Sequence, residues 1–336
     1  MLYINVAVCL SILLFVIGLS VGFSVNTFKG RDALDSAPLI DGHNDLPYNF
    51  YQILSNNLSA FHFERDLRND SVWGSNACSS CFTDLPRLNA GKVGGQFWVA
   101  YTHCESQYKD SVQLTLRQID VIRRFIQRYP ANLQLVTEAK DIETTWRNGK
   151  IASMIAVEGG HSLDSSLAIL RLYYDLGVRY VTLTHTCNTP WKKNNGIVMV
   201  NFYSDFVNCN SSRKATLQDV VDHINHIRNL IGVDHVGIGG DYDGVSSMPI
   251  GLEDVSKYPD LFDRLYENRE GESTWTREDL EKLAGRNFIR VFQAVEAVRD
   301  SLLSEAPRED VITGNELYIA QKREGLNPGA CQTAKE

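Results

Sequence analysis

Several signatures are missing from this chain, and each absence removes a class of function. No run of Lys or Arg interleaved with aromatics occurs and the net charge is −8, so nucleic acid, which demands a basic surface, is not an expected partner. No G-x-S-x-G elbow is present, which argues against a serine hydrolase of the nucleophile-elbow type. No Gly-rich phosphate loop follows the first apolar run, which weakens a nucleotide-binding reading. Cys78-x-x-Cys81 has no second such pair, so a local or exchanged disulfide is favoured over a zinc knuckle. Repeats, low-complexity tracts and an obvious linker are absent after the first 25 residues.

What is there begins with an apolar leader. No charged residue occurs before Lys29, and the run ends in the small residues Gly18, Ser20, Gly22 and Ser24. Residues 1–25 are therefore a signal peptide or an uncleaved signal anchor, and the body is expected in the secretory pathway, at the cell surface or outside the cell. Seven cysteines fit an oxidising compartment. Sequons at Asn57, Asn69 and Asn210 fit a glycosylated surface.

Short continuous apolar runs read as buried parallel strands: 37–45, 95–101, 151–158, 179–185, 196–202 and 235–241. Amphipathic helices are expected between them. The helix over 111–128 sets Val112, Leu116, Ile119, Ile122 and Ile126 on one face, and others cover 165–176, 217–230 after Thr216, and 277–298 after Thr276. Strand–helix alternation points to an α/β fold of the (β/α)8 TIM-barrel type, with a doubly wound sheet as the alternative. Six strands are countable where eight are needed, and only residues 186–195 join the fourth to the fifth. A parallel crossover needs a dozen residues or more, so the barrel is expected to be incomplete.

The polar residues that end these strands carry the chemistry. His43 and Asp45 lie two apart on a strand, so both side chains can reach one cation; a turn stabilised by polar side chains is the structural alternative. Glu158 closes an apolar strand, and a carboxylate there can bridge two metals. His185 is a candidate ligand or substrate hydrogen-bond donor, and Asp241 a candidate for a substrate amine or a proton, with Asp243 as its fallback. His161 could orient Glu158 or cap the next helix, while His223, His226 and His235 read as surface or structural. Metal-assisted hydrolysis uses most of these residues.

IDGHNDLP, GGQFW, VEGGHS, LTHTCNTPW, VMVNFY, GGDYDG and GLEDVSKYPDL, spread from about Ala37 to Val298, together resemble the membrane (renal) dipeptidase family. The resemblance implies a di-zinc barrel hydrolase of the cell surface, often lipid-anchored and disulfide-linked as a dimer. It implies dipeptide substrates, including cystinyl-glycine and leukotriene D4 in some members. By the same resemblance His43 and Asp45 hold the first Zn²⁺ and Glu158 bridges both ions. His185 contacts the substrate and the developing oxyanion, and Asp241 sits at the substrate amine and moves protons. Cys104 and Cys187 match an intrachain disulfide, and Cys331 a cysteine joining two subunits of a homodimer.

One departure stands out. The family's second Zn²⁺ needs two histidines on the fifth and sixth strands, yet LTHTCNTPW runs through Lys192–Asn195 directly into GIVMVNFY, with no histidine between His185 and His223. The expected organisation is thus a leader over 1–25, a dipeptidase barrel over 37–300 with an internal deletion near 192–196, and a C-terminal extension over 301–336. Cys209 matches a cysteine whose partner falls in the lost segment, and no hydrophobic anchor tail follows Cys331. Three functions compete: a zinc dipeptidase, a non-catalytic relative that binds a peptide or partner, and a truncated isoform without function.

Overall fold

A computed structural model describes residues 28–307, except 108, 165, 183–195, 211 and 268–272. The leader, His185, Cys187 and Cys331 lie outside the described residues. Among the described residues no helix is long and apolar enough to cross a membrane.

Elements alternate along the chain as β1 (Leu39–Asn44), α1 (Leu46–Leu54), α2 (Leu85–Ala90), β2 (Val93–Ala100), α3 (Ser111–Arg128), β3 (Leu133–Leu135), α4 (Ala139–Arg147), β4 (Ile151–Val157), α5 (Leu167–Asp175) and β5 (Val178–Val181). They continue as β6 (Val198–Val200), α6 (Ser204–Val207), α7 (Leu217–Ile231), β7 (Val236–Ile238), α8 (Tyr258–Tyr266), α9 (Arg277–Glu281) and α10 (Asn287–Ser301). Every strand pairing is parallel. Six strands fall within or across the runs expected from sequence, and the short β3 is additional.

All of β2 and β4 is buried, and the two faces of the sheet pack into separate clusters. Phe97 and Val99 with Ala152, Met154 and Ala156 join one cluster, while Trp98 and Ala100 with Ile151, Ile155 and Val157 join the other. A strand covered on both faces has no reason to alternate apolar with polar residues, which is why these runs read as continuous.

The order across the sheet places β1 between β2 and β7, so the last strand pairs with the first. That pairing is the closing seam of a barrel. On the far side β4 carries β3 beside its first half and β5 beside its second. Among the described residues β5 pairs only with β4, and β6 only with β7. The sheet is therefore closed at β1–β7 and open between β5 and β6, where the strand count fell short. Two expectations change accordingly. The run 196–202 is not a fully buried strand: β6 is three residues long, with Val198 exposed. On α3 the expected Ile119, Ile122 and Ile126 are buried, together with Ser111, Thr115, Gln118, Val121 and Phe125, while Val112 is only partly buried and Leu116 faces outward. The large Phe125 ring, packed on Phe50, Phe63 and Trp98, draws the buried face toward itself.

Helix starts follow the expected chemistry. Thr216 with Asp219, and Thr276 with Asp279, each form a reciprocal capping box. Between α9 and α10 the helix widens into one π turn over Lys282–Arg286. A Cβ on Gly285 would lie 2.4 Å from the Pro38 carbonyl oxygen, so only glycine allows this helix to lie against the start of β1.

A fully buried carboxylate fastens the seam. Asp41 Oδ1 accepts from the Gly240 amide at 2.9 Å and the His43 amide at 3.1 Å, and its Oδ2 accepts from the Tyr258 hydroxyl at 2.7 Å. Burial raises the Asp41 pKa, and these donors counter it. Replacing Tyr258 with Phe removes a donor from this buried acceptor. The expected loss is about 1–3 kcal/mol of unfolding free energy, read by urea denaturation; an unchanged midpoint at unchanged slope would count against a structural role for Asp41.

Candidate metal centre

The ends of β1, β4 and β7 bring four of the singled-out side chains to one place. The first segment is IDGHNDLP. Within it Asn44, not His43 or Asp45, shapes the turn: Asn44 Oδ1 accepts from the Leu46 amide at 3.0 Å, and its amide donates to Thr83 Oγ1 at 2.9 Å. Asp45 stands at the N-cap of α1, yet its side chain makes no capping hydrogen bond. Its carboxylate turns toward His43 instead.

The second segment arrives by backbone pairing. The Asp241 amide donates to the His43 carbonyl at 3.1 Å, and the Asp45 amide to the Tyr242 carbonyl at 3.0 Å. Asp241 and Asp243 both have positive φ, 61° and 68°, a region Asp tolerates better than most residues. The sharp turn sends their carboxylates different ways. Asp241 enters the site. Asp243, the alternative residue, is buried elsewhere: its Oδ1 accepts from Thr83 Oγ1 at 2.6 Å and the Phe82 amide at 2.9 Å. Burial raises its pKa to about 6.

His43 Nε2 lies 3.1 Å from Asp45 Oδ2, 3.5 Å from Glu158 Oε2 and 3.6 Å from Asp241 Oδ1. His43, Asp45 and Asp241 each offer a donor atom within 4.8 Å of the others. Three carboxylates around one imidazole repel each other strongly at this depth. Burial pushes the Asp45 pKa up to about 8, with His43 pulling the other way. Burial also works to lower the His43 pKa, but Asp45, Tyr180 and Glu158 more than reverse it. Such a cluster either takes up protons or holds a cation.

Two further observations fit a cation. Asp45 Oδ1 is buried and accepts no hydrogen bond. Gly244 leaves open the space that a Cβ would fill 2.1 Å from Asp45 Oδ2 and 2.7 Å from Asp241 Oδ1. One imidazole with hard carboxylate oxygens is a donor set that suits Zn²⁺.

The supporting shell was not foreseen. Asn201 donates to Asp241 Oδ2 at 2.6 Å, leaving Oδ1 toward His43. Asn201 ends an apolar run just as Glu158 does, so the same signal could have found it. The Tyr180 hydroxyl donates to the Gly42 carbonyl at 2.5 Å and lies 3.5 Å from His43 Nδ1. Such a partner on the far nitrogen orients a ligating imidazole. Tyr180 sits mid-run in a strand and resembles any core aromatic, so nothing in the sequence marks it.

The remaining histidines serve other ends. His161 neither orients Glu158 through a hydrogen bond described here nor caps a helix; its Nε2 meets the Thr102 carbonyl at 2.9 Å, tying the end of β4 to the end of β2. His235 Nδ1 contacts the Gly196 carbonyl at 2.9 Å, and His223 and His226 are exposed. Cys78 and Cys81 are disulfide-bonded to each other and Cys209 is free. Cys104 is disulfide-bonded as well, while Cys187, its expected partner, lies outside the described residues.

The sequence profile of the membrane dipeptidase family (peptidase family M19) matches residues 29–193 and 192–306. Dipeptidase 3 of Mus musculus is 35% identical over 354 residues, covering 81% of this chain and 67% of that protein. Dipeptidase 3 of Homo sapiens is 35% identical over 363 residues, covering 84% and 70%. In the mouse comparison 81% of 336 residues is about 272, so roughly 80 of the 354 aligned positions face no residue of this chain. Among solved structures, a metallo peptidase from Rhodobacter sphaeroides liganded with a phosphinate mimic of the dipeptide L-Ala-D-Ala shares the fold. It has a TM-score of 0.60 and 16% identity, over 76% of this chain and 99% of that one. The profile match falls in two pieces that meet at residues 192–193. The chain belongs to the membrane dipeptidase family.

Proposed function

We propose that this chain is a zinc-binding dipeptidase relative that retains one metal site, built from His43, Asp45 and Asp241 with Glu158 beside them, and has lost most turnover. The observation that carries the reading is the convergence of three carboxylate oxygens on His43 Nε2 at 3.1–3.6 Å. A bound Zn²⁺ supplies a Lewis acid for the scissile carbonyl and for an attacking water. The chain's own residues do the rest. Tyr180 sets the His43 ring so that Nε2 faces the carboxylates. Asn201 holds Asp241 through Oδ2, so that Oδ1 points toward His43 and the metal site. Glu158, half-buried at the end of β4, can accept a proton or reach a second ion. His185 is assigned to the substrate oxygen by family resemblance.

Turnover is the weak point. Among the described residues His43 is the one histidine that belongs to a group able to hold a metal. Roughly 80 positions that the relative carries have no counterpart here, and among the described residues β5 pairs only with β4 and β6 only with β7. A second Zn²⁺ would lack the imidazoles that the family uses. The non-catalytic reading draws on this same gap: a chain that still binds a dipeptide at the first metal need not cleave it.

The secretory assignment rests on the leader and on surface chemistry. Asn57, Asn69 and Asn210 are all exposed. Asn57 Oδ1 accepts from the amide and hydroxyl of Ser59, at 3.1 and 2.7 Å, and Asn210 Oδ1 from those of Ser212, at 3.0 and 2.7 Å. A disulfide-linked homodimer through Cys331 belongs to the same proposal.

Purified chain should carry about one zinc by mass spectrometry of the metal, and should hydrolyse Gly-D-Phe far more slowly than an intact relative assayed beside it. Two zincs per chain with matching turnover would overturn the reading. Asp45→Asn should lower zinc affinity roughly 10- to 100-fold while leaving the fold intact by circular dichroism. Secretion from animal cells should yield a protein whose mass falls on enzymatic removal of N-glycans, and Asn57→Gln and Asn210→Gln should each remove one glycan. Secreted protein of unmodified mass would exclude the glycosylation.

A further inference from the structure

The segment between α1 and α2 supplies no residue to the metal centre, yet it touches the end of β1 and the turn that follows β7. Trp73 anchors it in the core against Phe50 and Phe61, and Ser75–Ala77 are exposed. Cys78 and Cys81 then close a three-residue loop through their disulfide. The two sulfur-bearing residues are not equivalent. Cys81 is 6% exposed and packs in the core, whereas Cys78 is half-buried and lines an open cavity of about 550 Å³. Tyr48, Gln52, Ser71, Ser79 and Ser80 give that cavity polar groups, and Val72 and Ile53 give it apolar ones. No Lys or Arg lines it.

From this loop two hydrogen-bonded paths lead to the metal-ligating segments. Asn49 Nδ2 donates to the Ser80 carbonyl at 2.9 Å and to the Asp243 carbonyl at 3.2 Å. Just past Cys81, the Phe82 amide and the Thr83 hydroxyl both donate to Asp243 Oδ1, which lies next to Gly244 and two residues from Asp241. The same Thr83 oxygen accepts from Asn44, the residue between His43 and Asp45. The disulfide thus closes the loop from which both ligand segments are braced.

We propose that Cys78–Cys81 is a thiol–disulfide exchange site, that a low-molecular-weight thiol enters the adjoining cavity and attacks Cys78, and that opening the bond weakens metal binding at His43, Asp45 and Asp241. The thiolate sulfur forms a bond to Cys78 Sγ as the Cys78–Cys81 bond breaks, and the electron pair leaves on Cys81, which takes a proton from water. A second thiol then attacks the sulfur of the first, releasing Cys78. The net change is two thiols oxidised to their disulfide and the protein pair reduced to two thiols. Attack falls on Cys78 because it is the less buried of the two and the one that lines the cavity, and exchange goes through the more accessible partner. The coupling follows because partners behind the ligands tune a metal site. Only this coupling rests on the zinc reading above.

The test uses the full secreted chain, zinc-loaded, exposed to reduced glutathione, quenched in acid and alkylated, with each cysteine mapped by mass spectrometry. Glutathione is expected on Cys78 and the alkylating group on Cys81, while the Cys104 disulfide survives. Zinc affinity of the opened protein should fall about tenfold and return on reoxidation. Cys78→Ser/Cys81→Ser should bind zinc as the opened protein does and ignore glutathione. An adduct on Cys81, or none at Cys78 before the Cys104 bond is lost, overturns the exchange site. An adduct at Cys78 with unchanged zinc affinity overturns the coupling. A chain that binds no zinc in either state sinks the zinc reading and the coupling together, and the adduct map alone then judges the exchange site.

Discussion

The seam between the first and last strands is the constraint from which the rest follows. β1 and β7 are separated by about 190 residues, and their pairing is brief, with one registered pair at Asp41 and Ile238. It holds because Asp41, fully buried, must find donors, and those donors come from the end of β7 and from α8. Unmaking that contact would leave a buried carboxylate without partners, which costs more than the hydrogen bonds themselves contribute. The distance from Asp241 to His43 and Asp45 depends on this seam, because His43 and Asp45 come from one side of it and Asp241 from the other.

Electrostatics explains why the site tolerates no conservative rearrangement. Three carboxylates within 3.6 Å of one nitrogen are stable only with protons or a cation to compensate them. Around them the chain supplies neutral donors, Asn201 and the Tyr180 hydroxyl, so that no fixed positive side chain competes for the place of an ion. Asn44 and Asp243 then carry the purely structural hydrogen bonds, which frees His43 and Asp45 from that duty. Adjacent polar residues in IDGHNDLP and GGDYDG therefore have opposite roles.

The gap between β5 and β6 is the other organising fact. A closed barrel satisfies every strand edge; here the closing seam persists while two neighbouring edges are left without strands among the described residues. The two pieces of the family match meet at residues 192–193, between these strands.

The strand runs, the capping boxes at Thr216 and Thr276 and the family motifs were legible in the sequence, because each is set by local chemistry. Runs buried on both faces declare themselves by continuous apolarity. His43, Asp45, Glu158 and Asp241 were legible because a polar residue ending an apolar strand is locally anomalous. The stripe of α3 was legible at Ile119, Ile122 and Ile126 but not at Leu116 or Phe125, whose burial depends on what lies opposite and not on helical spacing alone. Tertiary structure alone decided that Asp241 and not Asp243 enters the site, that Asn201 and Tyr180 support it, and that Cys78 is less buried than Cys81. Those outcomes turn on left-handed backbone at two aspartates and on contacts between segments far apart in the chain, which no local pattern of residues encodes.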